Sequence, residues 1–298
     1  MRILRQKIDI KERIRRYTEA PFHFDKGYRR DLIVNDLQYN MELCPMVDVV
    51  GNVWCRKGEG KPTTILSSHM DTVFGPNPFR YNVNTKEVQG KTEITGNLDN
   101  SMGCVINAEV IDRVDPKRET FFIFSIGEEP RNHQFAYGAQ NVCGSIKSMK
   151  IKPNLCVALD VTYPVEFVRE QSKMKRMKNI IQGATKHELR EAVPDQTCAY
   201  AENFSNKNLT KLFESFILEN GLYPSVKARD LETPDEAYVY GLEYPSLAFG
   251  PVVYGNMHGI STTYVENLES SIQFLEKVLT NPEFVNKVSE EDRKNRQK

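Results

Sequence analysis

Phe121-Phe122-Ile123-Phe124-Ser125-Ile126-Gly127-Glu128-Glu129 is a short apolar run that breaks off at a glycine and two carboxylates. A run of this length, bounded by a turn signal, reads as a buried strand. Two more runs share the pattern: Thr64–Leu66, leading into His69-Met70-Asp71, and Cys156–Leu159, leading into Asp160. Between them the periodicity changes. After the cap signal Asn100-Ser101, the residues Val105, Ile106, Val110, Ile111 and Val114 recur at helical spacing. Gly138–Met149 and Val265–Leu279 read as further helices. Strands alternating with helices predict an α/β fold, a three-layer sandwich with a mixed, largely parallel central sheet flanked by helices.

The chain has 298 residues, 40% of them hydrophobic, enough for a sizeable core and too many for a disordered or collagen-like chain. Lys+Arg and Asp+Glu both number 40, and a net charge of zero argues against a nucleic-acid or membrane-surface partner. No stretch approaches the ~18 consecutive apolar residues of a spanning helix. The beginning, MRILRQKIDIKERIRRY, has no continuous apolar core of the signal-peptide kind. The six cysteines show no C-x-x-C spacing and read as reduced thiols, so a cytoplasmic protein is expected. Residues 169–191 are locally basic, either a solvated surface or a flap attracting acidic substrates.

Ligands of α/β sheets gather beyond the carboxyl ends of the strands. There the sequence offers His69 with Asp71, then Asp99 in a turn, Glu128-Glu129, Asp160, and His258 after the apolar stretch Ser246–Val253. Each alone has a bland reading: a hydrogen-bonded histidine, a solvated carboxylate pair, a turn aspartate. Together His69, Asp99, Glu129, Asp160 and His258 follow one another at intervals of 30, 30, 31 and 98 residues. Two imidazoles and three carboxylates suit two divalent ions of the zinc type, with one carboxylate able to bridge them.

This order resembles the co-catalytic dinuclear zinc exopeptidases, the superfamily of aminopeptidases, carboxypeptidases and deacylases. SSHMDTV is similar to the family's H-x-D-T/S-V, NLDNSMGC to its bridging-Asp turn, and IGEEP with FAYGAQ to its E-E-x-G-x-x-G-A stretch. MVDVVGNVW resembles the hairpin before the first metal motif, and CVALDVT a strand of the deblocking aminopeptidases. TPDEA at 233–237 looks like a diverged G-T-D-A. The resemblance implies that His69 and Asp160 hold one metal, Glu129 and His258 the other, and that Asp99 bridges both. Glu128 would be the general base of an amide hydrolysis with metal-bound water as nucleophile, and Asp71 would orient His69. It also implies a cis peptide between Asp99 and Asn100.

Two departures stand out. Pro130 follows the glutamate pair, and neither the domain that deblocking aminopeptidases insert nor the lid of the carboxypeptidases fits the observed intervals. Residues 1–280 are therefore expected to form one catalytic domain, and 281–298 a polar tail that frays. The implied activity is an aminopeptidase on short peptides, with two Zn²⁺ ions, or Co²⁺ or Mn²⁺. A deacylase of N-acyl amino acids, a carboxypeptidase, and an inactive relative serving as a binding protein are the alternatives. His133 and Asp235 are candidate substrate residues, and the oligomeric state is left open.

Overall fold

The computed structural model of the protein describes residues 8–20, 22–23, 26–72, 82–128, 135–163, 197–203, 207–230, 236–255 and 260–297. The first elements are α1 (Ile10–Glu19), the two-residue strands β1 (Phe22–His23) and β2 (Lys26–Gly27), and α2 (Tyr28–Asn35). There follow β3 (Met46–Val47), β4 (Val53–Lys57), β5 (Thr64–His69), β6 (Asn84–Val88) and β7 (Lys91–Gly96). Next come α3 (Ser101–Arg113), β8 (Thr120–Ser125), α4 (Tyr137–Ser148) and β9 (Leu155–Leu159). The second half holds β10 (Ala199–Asn203), α5 (Lys207–Glu219), β11 (Val226–Asp230), α6 (Glu236–Gly241) and β12 (Ser246–Pro251). Strands β13 (Tyr254–Gly255) and β14 (Ser261–Tyr264) precede α7 (Val265–Leu279) and α8 (Pro282–Arg296).

Among the described residues, eight strands form one mixed sheet in the order β11-β10-β12-β9-β5-β8-β4-β3. Its four central strands, β12, β9, β5 and β8, run parallel. The antiparallel pairs β10–β12, β8–β4 and β4–β3 lie to either side of this centre. Successive side chains of a strand point to opposite faces, and the core divides accordingly. Leu66, Phe122, Phe124, Val157, Leu159 and Phe249 join one large cluster with α1, α3, α5, α7 and α8. Ile65, Ile123 and Cys156, one residue out of step, join Ala139, Val142, Ile146, Val239 and Tyr240 of α4 and α6 on the other face. The predicted three-layer α/β architecture is the observed one.

A smaller antiparallel sheet, β13-β14-β7-β6, delivers the chain to Asp99. No helix among the described residues is long and apolar enough to cross a membrane. Cys55, Cys104, Cys143 and Cys156 are buried free thiols, pushed up in pKa by that burial. The basic segment 169–191 lies outside the described residues.

The expectation of a fraying tail from Asn281 is corrected. Residues Pro282–Arg296 are helical, and Phe284, Val285 and Val288 are buried. Asn281 caps the helix by accepting from the Phe284 N–H at 3.0 Å. The Phe284 ring stacks on Phe216 and meets Phe213 edge-on, at 3.8 and 5.4 Å between centroids. Three apolar residues on one face are enough to dock an otherwise charged helix.

Candidate metal centre

Strand register assembles the site. His69 ends β5 opposite Ser125 of β8, and Ser68 pairs with Leu159 of β9. The exits carrying His69, Glu128 and Asp160 are therefore neighbours. Asp160 fits there because β12 has a glycine beside it: a Cβ on Gly250 would fall 1.3 Å from the Asp160 carbonyl oxygen. Asp99 arrives from the smaller sheet. The side chain of Asn100 accepts from Gly103 N–H at 2.8 Å, capping α3, and donates to the Leu159 carbonyl at 2.6 Å. The Asp99–Asn100 peptide is cis, as the resemblance implies.

The turn after β5 is fixed from several sides. Met70 N–H donates to the Ser125 carbonyl at 2.8 Å, and the buried Arg29 guanidinium donates to the Met70 carbonyl at 2.7 Å. His69 Nδ1 donates to the main-chain carbonyl of Asp71 at 3.1 Å. The Asp71 carboxylate stands farther off, 3.6 Å from Nδ1. It accepts instead from the backbone N–H of Glu128 at 3.3 Å. Asp71 thus orients the imidazole chiefly through its backbone and ties it to the glutamate loop through its side chain.

His69 Nε2 is buried and has no hydrogen-bond partner among the described residues, an uncommon state for a ring nitrogen. It faces Asp99 Oδ1 at 3.4 Å and Asp160 Oδ2 at 3.5 Å. Two ligand atoms each ~2.1 Å from one ion at a tetrahedral angle lie ~3.4 Å apart. The three donors all fall within 4.8 Å of one another, and imidazole with carboxylates is a zinc-type set. The residues present fit a divalent cation. Their protonation points the same way: burial pulls the His69 pKa down, but Asp160, with Asp71 and Asp99, outweighs it and holds the imidazole well above its usual range. Burial, then the charge of Asp99, raises the pKa of Asp160. A cation would relieve this crowding of acids.

The loop carrying Glu128 is held by a turn far upstream in sequence. Asp48 accepts from the backbone N–H groups of Val50, Gly51 and Asn52 at 2.9–3.0 Å. Asn52 in turn accepts from Ile126 N–H at 3.0 Å. On the other side the start of α4 closes in: Tyr137 N–H donates to the Gly127 carbonyl and Gly138 N–H to the Ile126 carbonyl, at 2.8 and 2.9 Å. Only glycine permits this approach, since a Cβ on Gly138 would meet the Ile126 oxygen at 2.1 Å. The hairpin motif MVDVVGNVW therefore has a physical role, the support of the Glu128 loop.

Of the sequence-predicted residues, His69, Asp99 and Asp160 come together, with Asp71 and the Glu128 backbone joined beside them. Glu129, His258, His133 and Asp235 lie outside the described residues. Sequence reasoning passed over Glu236, which is buried and bonds Ser67 and Ser125 on the sheet face that carries His69. Its signal was present: Glu236 stands three and four residues before Val239 and Tyr240, hence on one helix face with them.

No protein-family model and no curated protein matches the chain. Solved structures do match in fold. The TET1 peptidase of Pyrococcus horikoshii, which can assemble into a tetrahedron or a large octahedral shell, is 13% identical with a TM-score of 0.65, over 91% of this chain and 99% of that one. An aminopeptidase from the archaeon Desulfurococcus kamchatkensis is 12% identical, TM-score 0.65, over 94% and 97%. A Thermotoga maritima protein described as an endoglucanase is 12% identical, TM-score 0.61, over 92% and 99%. At such identities the likeness is one of fold, an α/β architecture shared across nearly the full length.

Proposed function

We propose that the chain is a dinuclear metallohydrolase of amide bonds, an aminopeptidase acting on short peptides with zinc as its metal. The observation that carries this reading is the His69 Nε2 atom, buried without a hydrogen-bond partner among the described residues and faced by Asp99 and Asp160 at the spacing of ligands on one ion. The names of the structural neighbours, peptidase and aminopeptidase, support the choice of reaction. Glu129 and His258 would complete a second ion's ligands, with Asp99 between the two. The chain leaves the antiparallel pair Gly96↔Ser261 toward Asp99 on one strand and toward His258 on the other, which suits that assignment. Residues 1–280 would then be one catalytic domain, to which α8 adds a packed helix.

Bound there, a pair of divalent ions would polarise the substrate carbonyl and make a water acidic enough to attack near neutral pH. The protein's own part begins with Glu128, which takes a proton from the attacking water and returns it to the leaving amine. Asp71 holds the backbone of Glu128 in reach, and the Asn52–Ile126 bond keeps the loop from swinging away. His69 is kept in one ring orientation by the Asp71 carbonyl, leaving Nε2 as the ligand atom. His133 and Asp235 remain candidate substrate contacts.

The test is direct. Protein purified without added metal is assayed for bound zinc, rebinding of two equivalents, and hydrolysis of short peptides with free or acetylated N-termini. Two equivalents and cleavage blocked by acetylation are expected. Cleavage of the acetylated set would favour a deacylase, and no metal binding would overturn the reading.

A further inference from the structure

Glu236 begins α6 and is 2% exposed. One carboxyl oxygen accepts from Ser125 Oγ, the other from Ser67 Oγ at 3.1 Å, and Ser67 Oγ accepts from the Tyr240 hydroxyl at 2.9 Å. Neither serine belongs to the centre described above, but each stands next to it. Ser67 precedes His69 by two residues on β5, so both face the same way, and Ser125 is the register partner of His69. The carboxyl therefore lies beneath the imidazole and spans two strand exits, one carrying His69 and the other leading to Glu128. Ala237 packs against Ala158 and Ala248, and these small side chains let α6 come close enough for a glutamate to reach both serines.

An acid buried here needs a reason, because removing a carboxylate from water is unfavourable unless a cation or donors compensate. Among the described residues no lysine or arginine pairs with Glu236. Burial lifts its pKa to about 7, against the pull of His69 and the two serine bonds, while Asp71 adds repulsion. The positive charge it faces lies toward His69.

We propose that Glu236 is a positioning residue for the candidate metal centre: by accepting from Ser67 on β5 and Ser125 on β8, it holds the exits bearing His69 and Glu128 in register. Its consequence for metal affinity rests on the metallohydrolase reading. The mechanical part, two strands clamped by one carboxyl, stands on the hydrogen bonds alone. An apolar residue of equal size would fill the space but could not join both strands.

The experiment compares wild type with Glu236→Met and Ser125→Ala in two measurements. Amide hydrogen exchange on metal-stripped protein should accelerate ~10-fold or more at residues 67–72 and 125–128 in Glu236→Met, with β9 and β12 unchanged. Zinc affinity should fall ~10–100-fold in Glu236→Met, the range for loss of a group that supports ligands, and by a smaller factor in Ser125→Ala. Should Glu236→Met fail to fold, Ser125→Ala carries both measurements. Unchanged exchange and unchanged affinity overturn the proposal, and so does exchange raised uniformly across the sheet with zinc affinity intact. If wild type itself binds no zinc, the metallohydrolase reading fails, and the exchange measurement alone decides whether Glu236 clamps the two exits.

Discussion

The side-chain amide of Asn100 donates to the main-chain carbonyl of Leu159 at 2.6 Å, joining the residue after Asp99 to the residue before Asp160. The same side chain caps α3 through Gly103 N–H. One residue therefore sets the distance between two acids that would otherwise repel each other. A Cβ on Gly103 would meet the Leu159 oxygen at 2.6 Å, so the helix can approach the strand only with glycine there. Asn100→Ala removes the cap and the side-chain link to the Leu159 carbonyl, and it should cost about 2 kcal/mol of stability. Denaturant titration with and without zinc checks this. Zinc should stabilise the variant less than it stabilises wild type.

Gly250→Ala tests how tightly Asp160 is seated. With 1.3 Å between the new Cβ and the Asp160 carbonyl oxygen, backbone must move, because no side-chain rotation relieves the contact. The expected loss is at least the ~1–3 kcal/mol of ordinary overpacking, together with impaired zinc binding. A variant with wild-type melting temperature and wild-type zinc stoichiometry would contradict the geometry.

The acids around the centre give the metal-free protein a signed pH dependence. Burial lifts Asp160 above its ordinary 3.8 and Glu236 from 4.5 to about 7, while Asp160 and its neighbours lift His69. A carboxyl whose pKa rises on folding favours the protonated fold, so stability declines as pH climbs from the unfolded pKa toward the folded one. A histidine whose pKa rises contributes stability below its unfolded pKa and loses it as pH passes the folded value. All three act in the same direction. Chelator-treated protein should lose stability between about pH 4.5 and about pH 7, and Glu236→Gln, set among His69, Asp71 and Tyr240, should flatten part of that slope. A cation held by His69 and Asp160 must displace their protons, so affinity should rise with pH. Calorimetry in buffers of different ionisation enthalpy reads the protons released.

Asp71 divides its work between backbone and side chain. Asp71→Ala leaves the carbonyl that accepts from His69 Nδ1 and removes the carboxylate that accepts from Glu128 N–H. Turnover should therefore fall more than zinc affinity does. The reverse order, a large affinity loss with turnover intact at saturating zinc, would return the carboxylate to the imidazole.

The parallel centre of the sheet was legible because β5, β8 and β9 are short apolar runs whose exits carry His69, Glu128 and Asp160, and burial on both faces demands that composition. His69 and Asp160 were legible for the same reason, whereas Asp99 comes from a turn after the smaller sheet and was marked by the cap signal beside it. What escaped was whatever depends on one contact across long sequence separation. Asn52 meets Ile126 across 74 residues, and Ser125 meets Glu236 across 111. Neither pairing leaves a local period. In TPDEA the neighbouring Asp235 attracted the reading, because the helix start that turns Glu236 inward is set by packing of Ala237 on Ala158 and Ala248. The last helix escaped because its mean hydropathy is low, although three apolar residues on one side decide its docking.

The two adjacent glutamates differ in what their loss should do. Glu128 is buried, and its backbone is held at both ends, by Asp71 at 3.3 Å through its N–H and by the Ala136 N–H at 3.2 Å through its carbonyl. A carboxylate mounted so firmly suits proton transfer, which demands a fixed reach to the water it serves. On the proposed mechanism Glu128→Gln keeps the shape and removes the base, so metal content should stay at the wild-type value while turnover falls by ~10²–10⁴-fold. On the proposed assignment Glu129→Gln would replace an anionic ligand by a neutral one, so bound metal or affinity should fall together with turnover. Metal analysis and initial rates on the same preparations separate the cases. Loss of metal from Glu128→Gln with retention in Glu129→Gln would exchange the two roles. Full activity in both variants would remove the glutamate pair from the reaction and, with it, the hydrolytic mechanism argued for this site.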